Sequence, residues 1–140
     1  MRKIGRISLS LFGLLFLTAV TFGSLSSCTP AGESIRDRIN TFISAVNNQN
    51  EQGVKDCLDS SAADYSTASL ATTWNTHYVN RPYTITTFST SGNTATVQFT
   101  GTSGTLDDTF QMTENTGTFL SGTTYKIKSV TTSGSVTIFQ

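Results

Sequence analysis

Asp108 is the residue whose neighbours place it best for chemistry. Along Leu106-Asp107-Asp108-Thr109-Phe110-Gln111-Met112 the apolar side chains fall on alternate positions, and Asp108 shares their parity. Alternate residues of a strand face the same side, so the pattern aims a carboxylate at an apolar face. A carboxylate there is costly unless it is paired or lines a wet cavity. Burial would also raise its pKa toward the range of a general base. The competing arrangement is a bulge or frayed strand start at Asp107-Asp108, which leaves both carboxylates in solvent and flips the face assignment.

His77, the one histidine of the chain, follows Trp74 by three positions. That spacing puts both on one helical face, at the mouth of any pocket that Asp108 lines. An imidazole needs a positioned partner for acid–base work, and a surface or capping role competes with it. Trp74 reads as a core or pocket-wall anchor, and Arg81 before Pro82 as a donor to a nearby carbonyl. Cys57 stands beside Val54 and Leu58 at helical spacing, the pattern of a small buried apolar residue. A redox or intermolecular role is its alternative. With one His and two Cys, a structural zinc site has no ligands to draw on. G-x-S-x-G, phosphate-loop and dinucleotide-binding patterns are also missing from the sequence, so no cofactor is expected.

Elements of two kinds must position these residues. Between Glu33 and Asn48 the apolar residues Ile35, Ile39, Phe42, Ile43 and Val46 recur at the offsets of one helical face. Ser34 and Asp37 make a plausible capping pair. Asn50 can cap a shorter helix through Leu58. Residues 59–73 read as loop and weak helix, and a third helical turn ends near Trp74, Tyr78 and Val79 before Arg81-Pro82 forces extension. From Tyr83 onward, Thr and β-branched or aromatic residues alternate, and short Gly-containing turns recur. Strands are expected over 83–90, 93–101, 104–113, 123–131 and 135–139, joined as antiparallel hairpins. The expected inward residues are Tyr83, Ile85, Ala95, Val97, Phe99, Leu106, Phe110, Met112, Tyr125, Ile127, Val136 and Ile138. The opposite face, mostly Thr, Ser, Gln and Lys, suits a sheet with one wet side.

The start of the chain carries a different message. Arg2, Lys3 and Arg6 precede an apolar run from Ile7 to Phe22, and Leu25-Ser26-Ser27-Cys28 closes the segment. A charged start, a short apolar run and small residues at the cleavage point are the layout of a secretory signal. The run of about 16 residues falls short of the roughly 20 needed to span a bilayer. The tetrapeptide resembles the lipobox of bacterial lipoproteins. That resemblance implies thioether attachment of diacylglycerol to Cys28, cleavage before it, and acylation of the new amine. Two or three acyl chains hold a protein stably where a single chain, at about 0.8 kcal/mol per buried methylene, holds it marginally. Thr29 follows the cysteine in place of an inner-membrane-retaining aspartate, which points to the outer membrane or cell surface.

The expected organisation is therefore a cleaved signal (1–27), a lipidated N-terminus with a short tether (28–32) and a single domain (33–140). Removing residues 1–27 leaves 113 of 140 residues, enough for one core. Of nine basic residues three leave with the signal, so six face nine acidic ones and the mature chain carries about −3. With no basic stripe, nucleic acid is not an expected partner.

Helices first, then a run of antiparallel strands, gives an α+β domain with N-terminal helices packed on a curved sheet. The stretches Ile39–Asn50, Tyr83-Thr84-Ile85, Thr94–Phe99 and Tyr125-Lys126-Ile127-Lys128-Ser129-Val130 resemble the nuclear-transport-factor-2-like (cystatin-like) superfamily, in particular its small bacterial lipoproteins. The last stretch resembles that family's W-K-I-x-x-V ending, with Tyr125 in place of Trp. The resemblance spans about residues 33–131. It implies a cone-like domain with a pocket at its wide end, and a family that hosts isomerases, dehydratases and binding domains.

Two functions follow as expectations. The first is a membrane-anchored envelope lipoprotein that binds a small apolar ligand or an envelope protein, with Trp74, His77, Tyr83, Phe99 and Phe110 as ligand-binding candidates. The second is an isomerase or hydratase with Asp108 as base; ketosteroid-isomerase-like relatives pair such a base with Tyr or Asp donors, and Tyr65, Tyr78, Tyr83 and Tyr125 are available types. A pocket lined by Trp74, Phe99 and Phe110 favours ligand binding, and a filled interior favours a protein partner. Homodimerisation through the Thr-rich outer face is a further expectation.

Overall fold

The computed structural model describes residues 32–66, 74–118, 121–132 and 137–138. The signal segment, Cys28 and Val136 lie outside the described residues, as does the side chain of Ile138.

Ser34 begins the first helix with a reciprocal cap. Its hydroxyl accepts from the Asp37 backbone N–H at 3.1 Å, and the Asp37 carboxylate accepts from the Ser34 N–H at 3.0 Å. A pair of this kind satisfies two of the N–H groups that a helix start leaves without partners. Helix α1 (Ile35–Asn47) buries Ile35, Ile39, Phe42, Ile43, Ala45 and Val46. Gln49 takes a left-handed φ of 54° and reverses the chain, and Asn50 caps α2 (Glu51–Cys57) by accepting from the Gly53 N–H at 3.0 Å. A 3₁₀ turn, Ala63–Ser66, and a helical turn over 74–77 follow.

The strands β1 (Thr84–Ser91), β2 (Thr94–Gly101), β3 (Gly104–Thr116), β4 (Thr123–Thr132) and β5 (Thr137–Ile138) form one antiparallel meander in chain order. The protein is thus α+β, with the helices on one face of the sheet. β3 runs three residues beyond its expected end. Glu114, Asn115 and Thr116 pair with Tyr125, Thr124 and Thr123, so the pairing partner overrides the weak strand propensity of Glu and Asn.

Ala95, Val97, Phe99, Phe110, Met112, Ile127 and Val130 share the buried face with the helix residues. Each of these side chains except the single methyl of Ala95 contributes about 1.5–3 kcal/mol when fully buried. Simple alternation from Ile127 would turn Val130 outward. A register shift between Gln111 and Met112 makes Ser129 and Ile127 the consecutive partners across the ladder. Lys128 is the additional residue, and its insertion restores Val130 to the core. A second irregularity lies between Ile85 and Thr87 on β1.

The outer edge of β4 is closed piecemeal. Glu33 N–H donates to the Thr123 carbonyl at 2.9 Å, and Tyr125 N–H donates to the Glu33 carboxylate at 3.0 Å. Further along, Asp59 N–H donates to the Ile127 carbonyl at 2.8 Å, and β5 pairs with Val130 and Thr131. Segments from both ends of the domain thus satisfy backbone groups that an open edge would leave to solvent or to another chain. The Glu33 carboxylate is itself held by Arg38, whose Nη2 lies 2.8 Å away.

Candidate functional site: a buried carboxylate under a helical turn

Asp108 lies in an unbroken stretch of ladder, opposite Val97 on β2 and Thr132 on β4. The bulge considered for Asp107-Asp108 is absent from β3; the ladder irregularity inserts Lys128 on β4, opposite Gln111 and Met112, so β3 keeps its alternation and Asp108 faces inward. It is 1% exposed, the one charged residue among the buried positions described. Asp107, its neighbour, is exposed and accepts from the Gln98 side-chain amide at 2.9 Å.

The helical turn over 74–77 delivers the partners. Tyr78 N–H donates to the Trp74 carbonyl at 2.9 Å, which continues the turn and sets the two side chains on one face. From there the Tyr78 hydroxyl donates to Asp108 Oδ2 at 2.6 Å. His77 Nε2 lies 3.0 Å from Asp108 Oδ1 and 3.3 Å from Oδ2. A carboxylate only accepts, so the bond requires the proton on Nε2. Charge-assisted bonds of this kind are the strong ones, and they offset the desolvation that a buried carboxylate would otherwise suffer.

Burial pushes the Tyr78 hydroxyl well above the ordinary phenol range, and the negative charge of Asp108 and the bond to it push the same way. Tyr78 is therefore a fixed donor. Both Asp108 oxygens are engaged, so proton abstraction by this carboxylate requires a partner to move aside. His77, with a side chain 12% exposed, is the member of the trio nearest to solvent.

The remaining candidates are part of the core. Phe42, Tyr78, Tyr83, Phe99 and Phe110 meet edge to face, with ring centroids 5.7–6.4 Å apart. That spacing is direct aromatic contact, so no ligand fits between Tyr83, Phe99 and Phe110. The Tyr83 hydroxyl accepts from the Asn80 N–H at 3.2 Å. Trp74 is 2% exposed, and its Nε1 has no hydrogen-bond partner among the described residues. The Arg81 guanidinium covers the ring at 5.3 Å and donates to the Asn75 side chain at 3.0 Å. Cys57 is fully buried, as a small apolar residue would be, with Arg38 Nη1 at 3.9 Å from its sulfur.

Two clefts lie elsewhere. One, of about 440 Å³, runs between α1 and α2 along Asn40, Ser44, Asn48, Asn50 and Gly53. The other, of about 310 Å³, is bounded by Lys55, Asp59, Tyr65, Asn115 and Lys126. Neither is lined by Asp108 or by Trp74, His77, Tyr83, Phe99 or Phe110, and Tyr65 in the second cleft stands apart from Asp108. No group of three His, Cys, Asp or Glu residues suited to a metal ion occurs among the described residues.

The trio could be foreseen only in halves. Strand parity aims Asp108 inward, and helical spacing groups Trp74, His77 and Tyr78, but nothing local links residues thirty positions apart. No protein-family model matches this chain, and no curated protein or solved structure matches it either.

Proposed function

We propose that this protein is a bacterial envelope lipoprotein, anchored through acyl chains on Cys28 at the outer membrane or cell surface, whose domain works by binding a protein partner on its exterior. The observation that carries the reading is at the start of the chain. A charged and apolar signal ends in Leu25-Ser26-Ser27-Cys28, and the folded domain begins only a few residues later. Glu33 is already bonded to β4. The domain we read as a cone-like fold of the nuclear-transport-factor-2 type. The lay of α1 across a sheet with two ladder irregularities supports that reading, since bulges are how antiparallel sheets acquire strong bends.

The packing favours a partner over an enclosed apolar ligand. The residues that would line an inner pocket fill it with one another. The test is mass spectrometry of the N-terminal peptide from protein made in a bacterial host that processes lipoproteins. A diacylglyceryl-modified Cys28 at the mature N-terminus is the expected result, and Cys28→Ser should abolish both cleavage and membrane retention. An unmodified Cys28 overturns the reading.

The rival, an isomerase or hydratase based on Asp108, draws on one specific observation, a buried carboxylate with a hydroxyl donor at 2.6 Å. Asp108→Asn separates the two. Under the enzyme reading wild-type protein turns over a ketone or enol-ether substrate and the variant does not. Under the binding reading neither does, and only the melting temperature changes.

A further inference from the structure

Strand β1 reads Thr-Ile-Thr-Thr-Phe-Ser-Thr-Ser, and no charged residue occurs between Arg81 and Asp107. It forms one edge of the sheet. On an edge strand every second residue turns its N–H and C=O away from the ladder, which is a template for another strand. On the opposite side, Glu33, Asp59 and β5 close the edge of β4, whereas no backbone group among the described residues bonds the outer edge of β1. Lysine and proline, which commonly guard an open edge, do not occur in β1, and its one irregularity lies between Ile85 and Thr87.

From Thr87 to Ser91 the strand is regular, pairing residue for residue with Gln98 back to Thr94. Gly92 then turns the chain with a φ of 55°. The antiparallel two-fold that uses this whole stretch, and avoids both the irregularity and the turn, is centred on Ser89. Ser89 then faces its own copy, Thr87 faces the copy's Ser91, and Phe88 faces the copy's Thr90. Thr87, Ser89 and Ser91 are exposed on the outer face, where Thr and Ser pair favourably across a ladder. Ile85 and Phe88 pack against the core from the inner face but stay only half-buried, and a second copy covers part of what they leave in solvent. Arg36 of α1 flanks this edge, its guanidinium 4.9 Å from the centroid of the Phe88 ring. The two-fold sets Phe88 and its copy on a diagonal about 7–8 Å apart. The two cations are therefore offset, in water, and screened by salt.

We propose that two copies of this protein join through β1, edge to edge about a two-fold axis, so that the two five-stranded sheets become one. The contact is the edge of the sheet and not its Thr-rich face. Each copy supplies a strand that is itself uncharged, regular over the same five residues and open on the same side, as a closed isologous pair requires. Pairing of this kind needs no acyl chain on Cys28 and stands apart from the anchor.

The test uses the full chain with Cys57→Ala, purified in mild detergent and oxidised with copper phenanthroline. With Ser89→Cys added, a disulfide-linked dimer is expected, because directly opposed residues have Cβ atoms about 4.5–5.5 Å apart, close to disulfide reach. Ser103→Cys, on the exposed turn between β2 and β3, should give none, and the Cys57→Ala parent shows any link made through Cys28. Adding Thr87→Lys with Ser91→Lys to the Ser89→Cys chain sets like charges opposite each other and should abolish the dimer. Thr87→Lys with Ser91→Glu sets unlike charges opposite each other and should restore it. These positions are exposed, so the melting temperatures of the variants should match the parent's. No dimer from Ser89→Cys, an equal yield from Ser103→Cys, a yield indifferent to the two lysines, or no recovery with the Lys and Glu pair overturns the pairing. The mass of the N-terminal peptide decides the anchor independently, so either reading can fail alone.

Discussion

The Tyr78 hydroxyl donates to the Asp108 carboxylate over 2.6 Å, from a helical turn to the middle strand of the sheet, thirty residues away in sequence. Neither group has water to fall back on, because Tyr78 is fully buried and Asp108 almost so. The bond joins the 74–80 segment to the sheet. It also leaves each partner dependent on the other, since a buried polar group that loses its partner incurs its full desolvation penalty.

Tyr78→Phe should accordingly destabilise the domain by about 1–3 kcal/mol, the usual cost of orphaning a buried acceptor. Urea denaturation monitored by the fluorescence of Trp74 measures it. Removing the charge as well, in Tyr78→Phe with Asp108→Asn, should cost less than the sum of the two single changes. Additive costs would mean that the two groups are not coupled.

Alkaline pH should act through the same hydroxyl. Its folded pKa is raised above the ordinary value of 10, first by burial and then by Asp108. In the unfolded chain Tyr78 ionises near pH 10, while in the folded chain it stays protonated to higher pH. The unfolded state is thus favoured as pH rises past about 10, and below that value the group contributes no pH dependence. Chemical denaturation at pH 8 and above 10 should show wild-type stability falling more steeply than that of Tyr78→Phe. Parallel profiles would remove Tyr78 as the source.

What the sequence conveys well are periodic features. The face of α1, the Ser34–Asp37 cap, the Asn50 cap and the starts of β2, β3 and β4 all lie within one or two residues of their expected places, because each depends on neighbours a few positions apart. What it conveys poorly are pairings between distant segments. Asp108 is legible as inward-facing, yet its partners His77 and Tyr78 are set by how the 74–77 turn docks on β3. Val130 is obscured by the insertion at Lys128, which reverses alternation and leaves no mark in composition. Glu33 shows only as a charge near a helix start, though it closes the edge of a strand ninety residues on.

Asn47 is the clearest case of a polar residue whose work is invisible locally. Its side-chain amide brackets one backbone unit, donating to the Tyr83 carbonyl at 2.9 Å and accepting from the Tyr83 N–H at 2.7 Å. It thereby ties the end of α1 to the residue just before β1. Asn47→Ala should cost about 1–3 kcal/mol, because two partly buried backbone groups lose their partners. Asn47→Asp keeps the acceptor and should cost less. Thermal melts of the three proteins check the order, and equal melting temperatures would show that water replaces the amide without loss.

Cys57 offers a probe of how tightly the helices close on the sheet. Its thiol is fully buried, and burial pushes its pKa up, with Arg38 opposing the shift. The thiolate is the reactive form and needs access to solvent, so both effects suppress reaction in the folded state. Alkylation by a soluble maleimide, at a pH where exposed thiols react readily, should be slow for the native domain and fast in urea. Arg38→Met should not accelerate it merely by removing a charge, because Arg38 favours the thiolate, and its loss makes the thiol still less acidic. Faster labelling in that variant would instead report that losing the Arg38–Glu33 pair, 2.8 Å apart on the edge of β4, has loosened the seam between α1 and the sheet. The rate thus separates the two roles of Arg38: slower labelling marks electrostatic control of the thiol, and faster labelling marks opening of the edge.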